Sequence, residues 1–267
     1  MAWVDCGINL LSNQFSDPNQ LLSNALPQVN RFVLISCDVQ ESEQVSRWVS
    51  STPGCIGTAG VHPHHADETT ACFAARIREI AEQEGIRAIG ECGLDYNRNF
   101  SLPKRQREVF AAQVALAVEL QLPLYLHERD ALVDQLAILN EHQGNLPPLF
   151  VHCFTQGQEA LEAYQALDAY FGVTGWVCDE RRGAELQSAV PYISNERLLL
   201  ETDAPYLTPR TLKPKPKSRV NEPKWLPHIA ATVAQLRNTD TASLATQTTS
   251  NALRLFGHWP VYKKGGP

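Results

Sequence analysis

The sequence lacks the marks of several large classes of protein. No apolar run approaches the roughly 20 residues of a membrane-spanning helix. The amino terminus shows no basic region followed by an apolar core, so we expect neither a membrane span nor a signal peptide. The seven cysteines are scattered and form no CxxC pair, which excludes a zinc ribbon and a thioredoxin-like redox motif. This cysteine usage is typical of a reducing compartment, so we expect a cytoplasmic protein.

The sequence also lacks an excess of positive charge. Its formal net charge is −6, so the chain as a whole does not attract nucleic acids or anionic membranes. The composition, with 43% hydrophobic and 19% charged residues, is that of an ordinary globular protein. A polyanion would therefore have to bind a local basic patch, and the clearest one is the Lys/Pro-rich stretch 213–219.

In place of long apolar runs, the sequence has eight short ones rich in β-branched residues. We expect strands at residues 3–5, 31–37, 55–60, 87–91, 123–127, 148–152, 170–174 and 197–203. Segments with helical periodicity lie between most of them. The clearest is 101–121, where Ser101 is a candidate cap and Pro103 suits a first helical turn. Shorter helical segments are expected at 161–167, 229–236 and 251–256.

This order of elements predicts the fold. Near-continuous apolar strands that alternate with helices indicate a parallel sheet covered on its outer face. Eight repeats favour closure into an α/β fold of the (β/α)8 TIM-barrel type over an open sheet. No Gly-rich linker or break in composition divides the chain, so we expect one barrel domain over residues 1–260 and a short tail over 261–267. Nothing in the sequence demands more than a monomer.

Residue types that bind metal ions end four of the predicted strands. They are Glu91, His127, His152 and Asp203. Taken singly, a histidine there is an ordinary core residue and an acidic residue an ordinary helix N-cap. In a closed barrel, however, the carboxyl ends of the strands converge on one face. Two imidazoles and two carboxylates form a mixed set that suits a divalent cation, so we expect a metal site.

Histidines and cysteines close to these residues need separate interpretation. His62, His64 and His65 follow the third predicted strand, and we favour His62 as a substrate contact over the other two. Cys92 and Cys153 each follow an expected ligand directly. Because successive side chains on a strand point to opposite faces, we expect both thiols to face the surrounding helices instead of the metal.

At these residues the sequence resembles the TatD family of metal-dependent deoxyribonucleases, within the wider amidohydrolase-like barrel superfamily. The resemblance extends from Asp5 to about Phe256. The matching motifs are Gly-Val-His-Pro-His at 60–64, Ile-Gly-Glu-Cys-Gly-Leu-Asp-Tyr at 89–96, Leu-His-Glu-Arg-Asp at 126–130, Val-His-Cys-Phe-Thr at 151–155, Gly-Val-Thr-Gly-Trp at 172–176 and Leu-Glu-Thr-Asp-Ala-Pro-Tyr at 200–206. The resemblance implies hydrolysis of single-stranded DNA and RNA from the 3′ end, in DNA repair or nucleic-acid turnover.

One motif departs from the superfamily pattern. Most members begin with Asp-Thr-His-x-His on the first strand, whereas here Gly7 and Asn9 occupy the positions of the two histidines. Glycine has no ligand atom in its side chain, and asparagine offers only a neutral carbonyl. The loss of two nitrogen ligands shifts the balance toward oxygen, which favours Mg²⁺ or Mn²⁺ over Zn²⁺ as the cofactor.

The expected site residues suggest roles in phosphodiester hydrolysis. Glu91 is a catalytic metal ligand, and Asp203 is both ligand and general base. Glu201 lies two residues earlier and is expected to orient a ligand or to add one.

Substrate phosphates are expected to bind cations in the loops after the last two strands, a favoured phosphate site in this fold. These cations are Arg181, Arg182, Arg210 and Lys215, with Lys213, Lys217 and Arg219 nearby. Four aromatic residues beside the motifs are candidates for stacking on unpaired bases or for ordinary core positions. They are Tyr96, Phe154, Trp176 and Tyr206.

Two other functions remain open at this point. One is a metal-dependent barrel hydrolase of cyclic amides or lactones, although such enzymes usually depend on the strand-one histidines. The other is a barrel that binds nucleic acid after losing part of its metal site. Assay of small cyclic amides beside an oligonucleotide with Mg²⁺ tests the first. Failure to digest single-stranded DNA and RNA with Mg²⁺ or Mn²⁺ favours the second.

Overall fold

The computed structural model describes residues 2–264. Along this part of the chain the strands are β1 (Trp3–Ile8), β2 (Val29–Leu34), β3 (Cys55–Ala59), β4 (Ile86–Asp95), β5 (Leu124–Arg129), β6 (Leu149–Val151), β7 (Tyr170–Val173) and β8 (Leu198–Leu200). All eight predicted strands are therefore confirmed. Their bounds differ from the prediction by a few residues, most of all in β4, which runs on from Glu91 to Asp95.

Helices follow the strands in regular alternation. The α helices are α1 (Pro18–Ala25), α2 (Val39–Ser51), α3 (Phe73–Ala81), α4 (Pro103–Leu120), α5 (Leu132–Asn140), α6 (Gln158–Gln165), α7 (Ala184–Ala189), α8 (Leu226–Leu236) and α9 (Thr241–Phe256). Short 3-10 helices lie at Pro63–Glu68, Gly175–Cys178, Val190–Tyr192 and Pro223–Trp225. Within residues 2–264, no helix combines the length and apolarity needed to cross a membrane.

Predicted helix 101–121 is confirmed as α4, but its start was predicted wrongly. The residue at the cap position is Leu102, which makes no side-chain cap, and Pro103 opens the helix. Ser101 is buried, and its hydroxyl donates to the carbonyl of His64 at 2.9 Å. It also accepts the backbone N–H of Asp67 at 3.0 Å. Ser101 thus fixes the loop before the helix. Because its hydroxyl is engaged by these two partners, it does not cap the free N–H groups of the first turn.

The chain forms two compact units. Of the described residues, 2–34, 53–55 and 152–264 make up the terminal unit, and 35–52 and 56–151 make up the central unit. In the terminal unit, β1 pairs in parallel with β2, and β7 pairs in parallel with β8. A parallel bridge joins Ile8 to Ala204, so the end of the last strand lies beside the first. That pairing is the one that closes a barrel.

In the central unit, β3, β4, β5 and β6 pair in parallel and in chain order. The register between β4 and β5 shifts between Gly90 and Cys92, so Glu91 stands out of the ladder. Its backbone N–H donates instead to the carbonyl of Ser36 at 3.0 Å. Strands β3 and β6 are wholly buried. This is why the central unit reads in sequence as near-continuous apolar runs.

Candidate metal centre

The first ligand group lies in the central unit and consists of His62, Glu91 and His127. His62 precedes the 3-10 helix Pro63–Glu68, Glu91 lies in β4 and His127 lies in β5. One ligand atom from each lies within 4.8 Å of the others. His127 Nδ1 is 3.0 Å from Glu91 Oε1, and His62 Nε2 is 3.5 Å from the same oxygen. Two imidazoles and a carboxylate at this spacing can hold a divalent cation.

Asp95 stands behind this group at the end of β4. Its Oδ2 lies 3.2 Å from His127 Nε2 and 2.9 Å from His64 Nε2. Its Oδ1 accepts the backbone N–H of Asn97 at 3.0 Å and that of Arg98 at 2.8 Å. Because both oxygens are held, Asp95 fixes the imidazole of His127 with Nδ1 toward Glu91. A carboxylate on the far nitrogen of a ligating histidine is a common arrangement in metal sites.

The charges around the first group determine which of its histidines are protonated when no cation is bound. Burial lowers the pKa of His127, but hydrogen bonds to Asp95 and Glu91 outweigh it and raise the pKa to about 9. Burial, followed by repulsion from His127 and His64, moves the pKa of His62 well below its ordinary value. At neutral pH the ion-free group therefore contains a protonated His127 and a neutral His62. A cation must displace the proton of His127 to use both nitrogens.

The second ligand group lies in the terminal unit and consists of His152, Cys153 and Asp203. Here too one ligand atom from each residue lies within 4.8 Å of the others. His152 Nε2 is 3.7 Å from Asp203 Oδ1. His152 is buried, while Cys153 and Asp203 are half-buried. The group offers one nitrogen, one sulfur and one oxygen, which is a softer set than the first group has.

Glu201 supports the second group from inside the unit. It is fully buried, and its Oε2 lies 2.7 Å from His152 Nδ1. Its other oxygen accepts the backbone N–H of Cys153. Both carboxylate oxygens are thus engaged behind the group, so Glu201 orients His152 and leaves Nε2 directed at Asp203. Its position matches the orienting role expected from sequence, not that of an added ligand.

The two strand-one positions that lack histidine hold Asp203 in place. The amide Nδ2 of Asn9 donates to Asp203 Oδ1 at 2.9 Å, and the carbonyl of Gly7 accepts the backbone N–H of Asp203 at 2.9 Å. Asp203 itself has a φ of +53°, a left-handed conformation that few non-glycine residues adopt. Strand one therefore provides the contacts that fix the Asp203 carboxylate.

The residue before Asp203 is anchored through a buried acid. Asp5 accepts the backbone N–H of Thr202 at 2.8 Å and its hydroxyl at 2.6 Å. On the other side, Asn221 Nδ2 donates to the carbonyl of Thr202 at 2.9 Å. Burial raises the pKa of Asp5 to about 7, although the bonds from Thr202 lower it. The turn that carries Asp203 is thus held from two sides.

The prediction that Cys153 faces the helices was wrong. It assumed that the strand continues through His152, but β6 ends at Val151. Cys153 has a φ of +46°, which breaks the alternation of side chains and brings its thiol into the second group. Cys92 lies inside β4, opposite Leu126 of β5. It is buried, and its thiol donates to the carbonyls of Ile89 and Tyr125.

Three of the predicted phosphate-binding cations meet at one buried carboxylate of the terminal unit. Arg182 Nε donates to Asp179 Oδ2 at 3.0 Å. Arg181 Nε and Arg210 Nε lie 3.8 Å and 3.7 Å from Asp179 Oδ1. All three guanidinium groups are substantially exposed, so three positive charges share one negative charge at the surface. Lys215 is exposed as well. Phosphate binding by these residues stays a prediction.

The aromatic candidates divide clearly. Phe154 is buried in the core against Phe171, with ring centroids 5.2 Å apart, so of its two alternatives it takes the core position. Tyr96 donates its hydroxyl to Asp134 at 2.6 Å. The ring of Trp176 lies under the guanidinium of Arg182, 4.3 Å from its centroid. Tyr206 is 52% exposed.

Asp95 and His64 are the residues of this centre that sequence reasoning missed. Asp95 stands inside a quoted motif, but an acidic residue at a strand end is an ordinary N-cap, and nothing in the spacing separated it from that role. His64 was ranked below His62, yet it shares the carboxylate of Asp95 with His127. His65 only pairs with exposed Glu68. The expected ligands Glu91 and His127 do lie together in one group, as His152 and Asp203 do in the other.

Comparisons with known proteins agree with this geometry. Residues 4–257 match the family model described as TatD related DNase. A protein of Cronobacter sakazakii named 3′-5′ ssDNA/RNA exonuclease TatD is 48% identical over 94% of this chain and 97% of its own length. A protein of the same name from Klebsiella pneumoniae is 48% identical over 95% of this chain and 97% of its own.

Solved structures show the same fold. The crystal structure of YJJV, a TatD homologue from Escherichia coli, matches 96% of this chain and 98% of its own with a TM-score of 0.87. The sequence identity is 22%, so this likeness concerns the fold alone. Together with eight alternating parallel strands and the pairing of the last strand with the first, it confirms the predicted (β/α)8 TIM-barrel class.

Proposed function

The chain belongs to the TatD-related DNase family, and from this premise we propose that it is a metal-dependent 3′–5′ exonuclease of single-stranded DNA and RNA. The observation that carries the proposal is the pair of ligand groups, each with a carboxylate behind its histidine. The relatives named as exonucleases support the substrate and the polarity, since they cover nearly the whole chain.

Four residues are the proposed metal ligands: Glu91, His127, His152 and Asp203. Each group on its own has enough donors within 4.8 Å for one ion. When bound, the cation polarises the scissile phosphate and lowers the pKa of an attacking water. We propose Mg²⁺ or Mn²⁺, because the strand-one nitrogens are missing. Mn²⁺ accepts the remaining imidazoles more readily than Mg²⁺. The thiol of Cys153 favours softer ions, so Zn²⁺ belongs in the same test.

The protein side chains then have distinct tasks. In hydrolysis, water adds to phosphorus, one P–O ester bond breaks, and the leaving oxygen gains a proton. Asp203 is the proposed general base for the water, and the amide of Asn9 keeps its Oδ1 in place. Glu201 orients His152, and Asp95 orients His127. The guanidinium groups of Arg181, Arg182 and Arg210 are the proposed phosphate contacts, together with Lys215.

The proposal is tested with end-labelled single-stranded oligonucleotides. The ion-stripped protein is given Mg²⁺, Mn²⁺ or Zn²⁺ in turn, and the product ladder is read for polarity on DNA and RNA. Glu91→Gln should lower kcat on the order of 10³-fold, since Lewis-acid stabilisation is worth several kcal/mol. Glu68→Gln is the matched control, because Glu68 is an exposed carboxylate of the same unit that pairs with His65.

Three outcomes contradict the proposal in different ways. Equal cleavage by Glu91→Gln and the parent removes the first group from the reaction. Hydrolysis of cyclic amides or lactones without any oligonucleotide cleavage assigns the chain to that rival class. Binding of oligonucleotides without cleavage under every ion indicates a nucleic-acid-binding barrel.

We further propose a monomeric, cytoplasmic enzyme of DNA repair or nucleic-acid turnover. Support for a reducing compartment comes from the seven cysteines, which all lie within the described residues and are all thiols. Light scattering after size-exclusion chromatography tests the monomer, and fractionation of cells tests the compartment.

A further inference from the structure

Phe100 is a large apolar side chain that the fold leaves in solvent. It is 66% exposed and lies in the loop between β4 and α4. Its ring makes a T-shaped contact with the imidazole of His64, with centroids 4.8 Å apart and planes at 78°. Most of the side chain remains in solvent. An exposed phenylalanine adds little to the stability of the fold, because its apolar surface stays in water. The feature of interest is its contact with His64.

A single side chain, that of His64, lies between Phe100 and the first ligand group. The His64 ring that it contacts is 4.3 Å, centroid to centroid, from the ring of His62. His62 Nε2 is in turn 3.5 Å from Glu91 Oε1. His64 is held by Asp95, the same carboxylate that holds His127. All of these residues belong to the central unit. The open aromatic face therefore stands next to the residues proposed to act on the phosphate.

The loop presents the ring in a fixed position. On one side, the side-chain amide of Asn99 donates to the carbonyl of Tyr96 at 2.6 Å. On the other, buried Ser101 donates to the carbonyl of His64 and accepts the N–H of Asp67. These bonds hold the backbone on both sides of Phe100, so less of the loop has to be ordered when a flat partner covers the ring.

Resting on the function proposed above, we propose that Phe100 is the base-stacking residue of this enzyme. An unpaired base next to the phosphate at the first ligand group would lie on its open face. Every base has a π face, so such a contact serves DNA and RNA alike and is independent of sequence. In a duplex, the π faces of a base are covered by the neighbouring bases and are not available to the ring. The ring thus selects an unstacked, single-stranded end.

The experiment uses the full chain and a matched pair of variants. Leu102 is 68% exposed and lies two residues away in the same loop, so Leu102→Ala removes a similar apolar surface without the aromatic face. The substrate is an oligodeoxythymidine with fluorescein at its 5′ end and an unlabelled 3′ end. Its binding is measured by fluorescence anisotropy in the presence of a chelator, and KM for its cleavage is measured with Mn²⁺. Phe100→Ala should weaken binding and raise KM by about tenfold or more. Phe100→Trp should restore both, and Leu102→Ala should match the parent.

An abasic substrate isolates the stacking contact. With oligonucleotides that carry abasic residues at the 3′ end, the difference between the parent and Phe100→Ala should disappear, because no base is left to cover the ring. If Phe100→Ala loses as much on the abasic substrate, or behaves like Leu102→Ala on the normal one, the inference is overturned and the face serves another partner. A parent protein that neither binds nor cleaves any oligonucleotide refutes the proposed function itself, which distinguishes the two failures.

Discussion

The first and second ligand groups are built on the same plan with different donors. In each, a carboxylate holds the far nitrogen of a histidine: Asp95 holds His127, and Glu201 holds His152. The first group then offers two imidazoles and a carboxylate, whereas the second offers an imidazole, a thiol and a carboxylate. The supports differ as well, since Asp95 is shared by two histidines and Glu201 by a histidine and a backbone N–H.

The two groups therefore differ in what controls ion binding. Competition with a proton controls it in the first group, and the softness of the ion controls it in the second. In the first group, surrounding acids stabilise a proton on His127, so pH decides when a cation can enter. In the second group, the thiol of Cys153 biases the choice of ion toward softer metals. A single preference for Mg²⁺ or Mn²⁺ therefore describes the first group better than the second.

The largest expected effect on this comparison comes from pH. With a pKa of about 9, His127 is neutral in about 1% of ion-free molecules at pH 7 and in about half of them at pH 9, so cation affinity should rise about 50-fold between these values. The raised pKa also contributes stability that is present below the ordinary value of 6.5 and is lost as the pH rises through 9. Calorimetric titration with Mn²⁺ measures how cation affinity changes with pH, and unfolding in the presence of a chelator measures how stability changes with pH. An affinity that is flat over this range contradicts the account.

Asp95→Asn should have the next largest effect. Without the carboxylate, the imidazole of His127 is no longer oriented, and affinity at pH 9 should fall by about 10- to 100-fold. Because proton competition is small at that pH, the loss reports on orientation alone. Asp134→Asn is the control, since Asp134 is a carboxylate of the same unit that accepts the hydroxyl of Tyr96. Similar losses in both variants would mean that the effect is a general one of charge.

The smallest expected effect comes from Cys153→Ser, which tests the softness of the second group. Affinity for Zn²⁺ or Cd²⁺ should fall about tenfold, while affinity for Mg²⁺ should change little. Co²⁺ added to the parent should give a thiolate charge-transfer band that is absent in the variant. Cys37→Ser should keep the band, although the Cys37 thiol lies 4.0 Å from Glu91 Oε2 in the first group. A band that persists without Cys153 removes the thiol from the site.

Much of this molecule follows from local chemistry. Apolar β-branched runs form strands wherever they occur, because extended backbone and burial favour the same residues. That is why all eight strands were predicted and why residues within β4 and β5 and after β6 and β8 were chosen as ligands. The motif positions of Glu91, His127, His152 and Asp203 needed no coordinates. Coordinates were needed to show that these residues fall into two groups, each with its own set of donor atoms.

Predictions failed where the backbone leaves its regular path. The alternation of side chains could not place Cys153, since the strand ends two residues earlier and the chain turns through a positive φ. The capping role of Ser101 failed because partners distant in sequence engage its hydroxyl. The sequence shows that Gly7 and Asn9 lack the imidazole of a histidine. It does not show that they hold Asp203, because Asn9 and Asp203 are 194 positions apart.

The sequence by itself determined the alternation of strands and helices, the four proposed ligands and the family. The strands, the helices and the ligands depend on periodicity and residue type, which are local properties, whereas the family is shown by the match of residues 4–257 to its model. Only the tertiary structure decided that Asp95 and His64 support the first group, that a thiol enters the second, and that Phe100 stands open beside His64. Such relations depend on which turns interrupt regular backbone and on which side chains meet across strands, and neither is encoded in the neighbours of a residue along the chain.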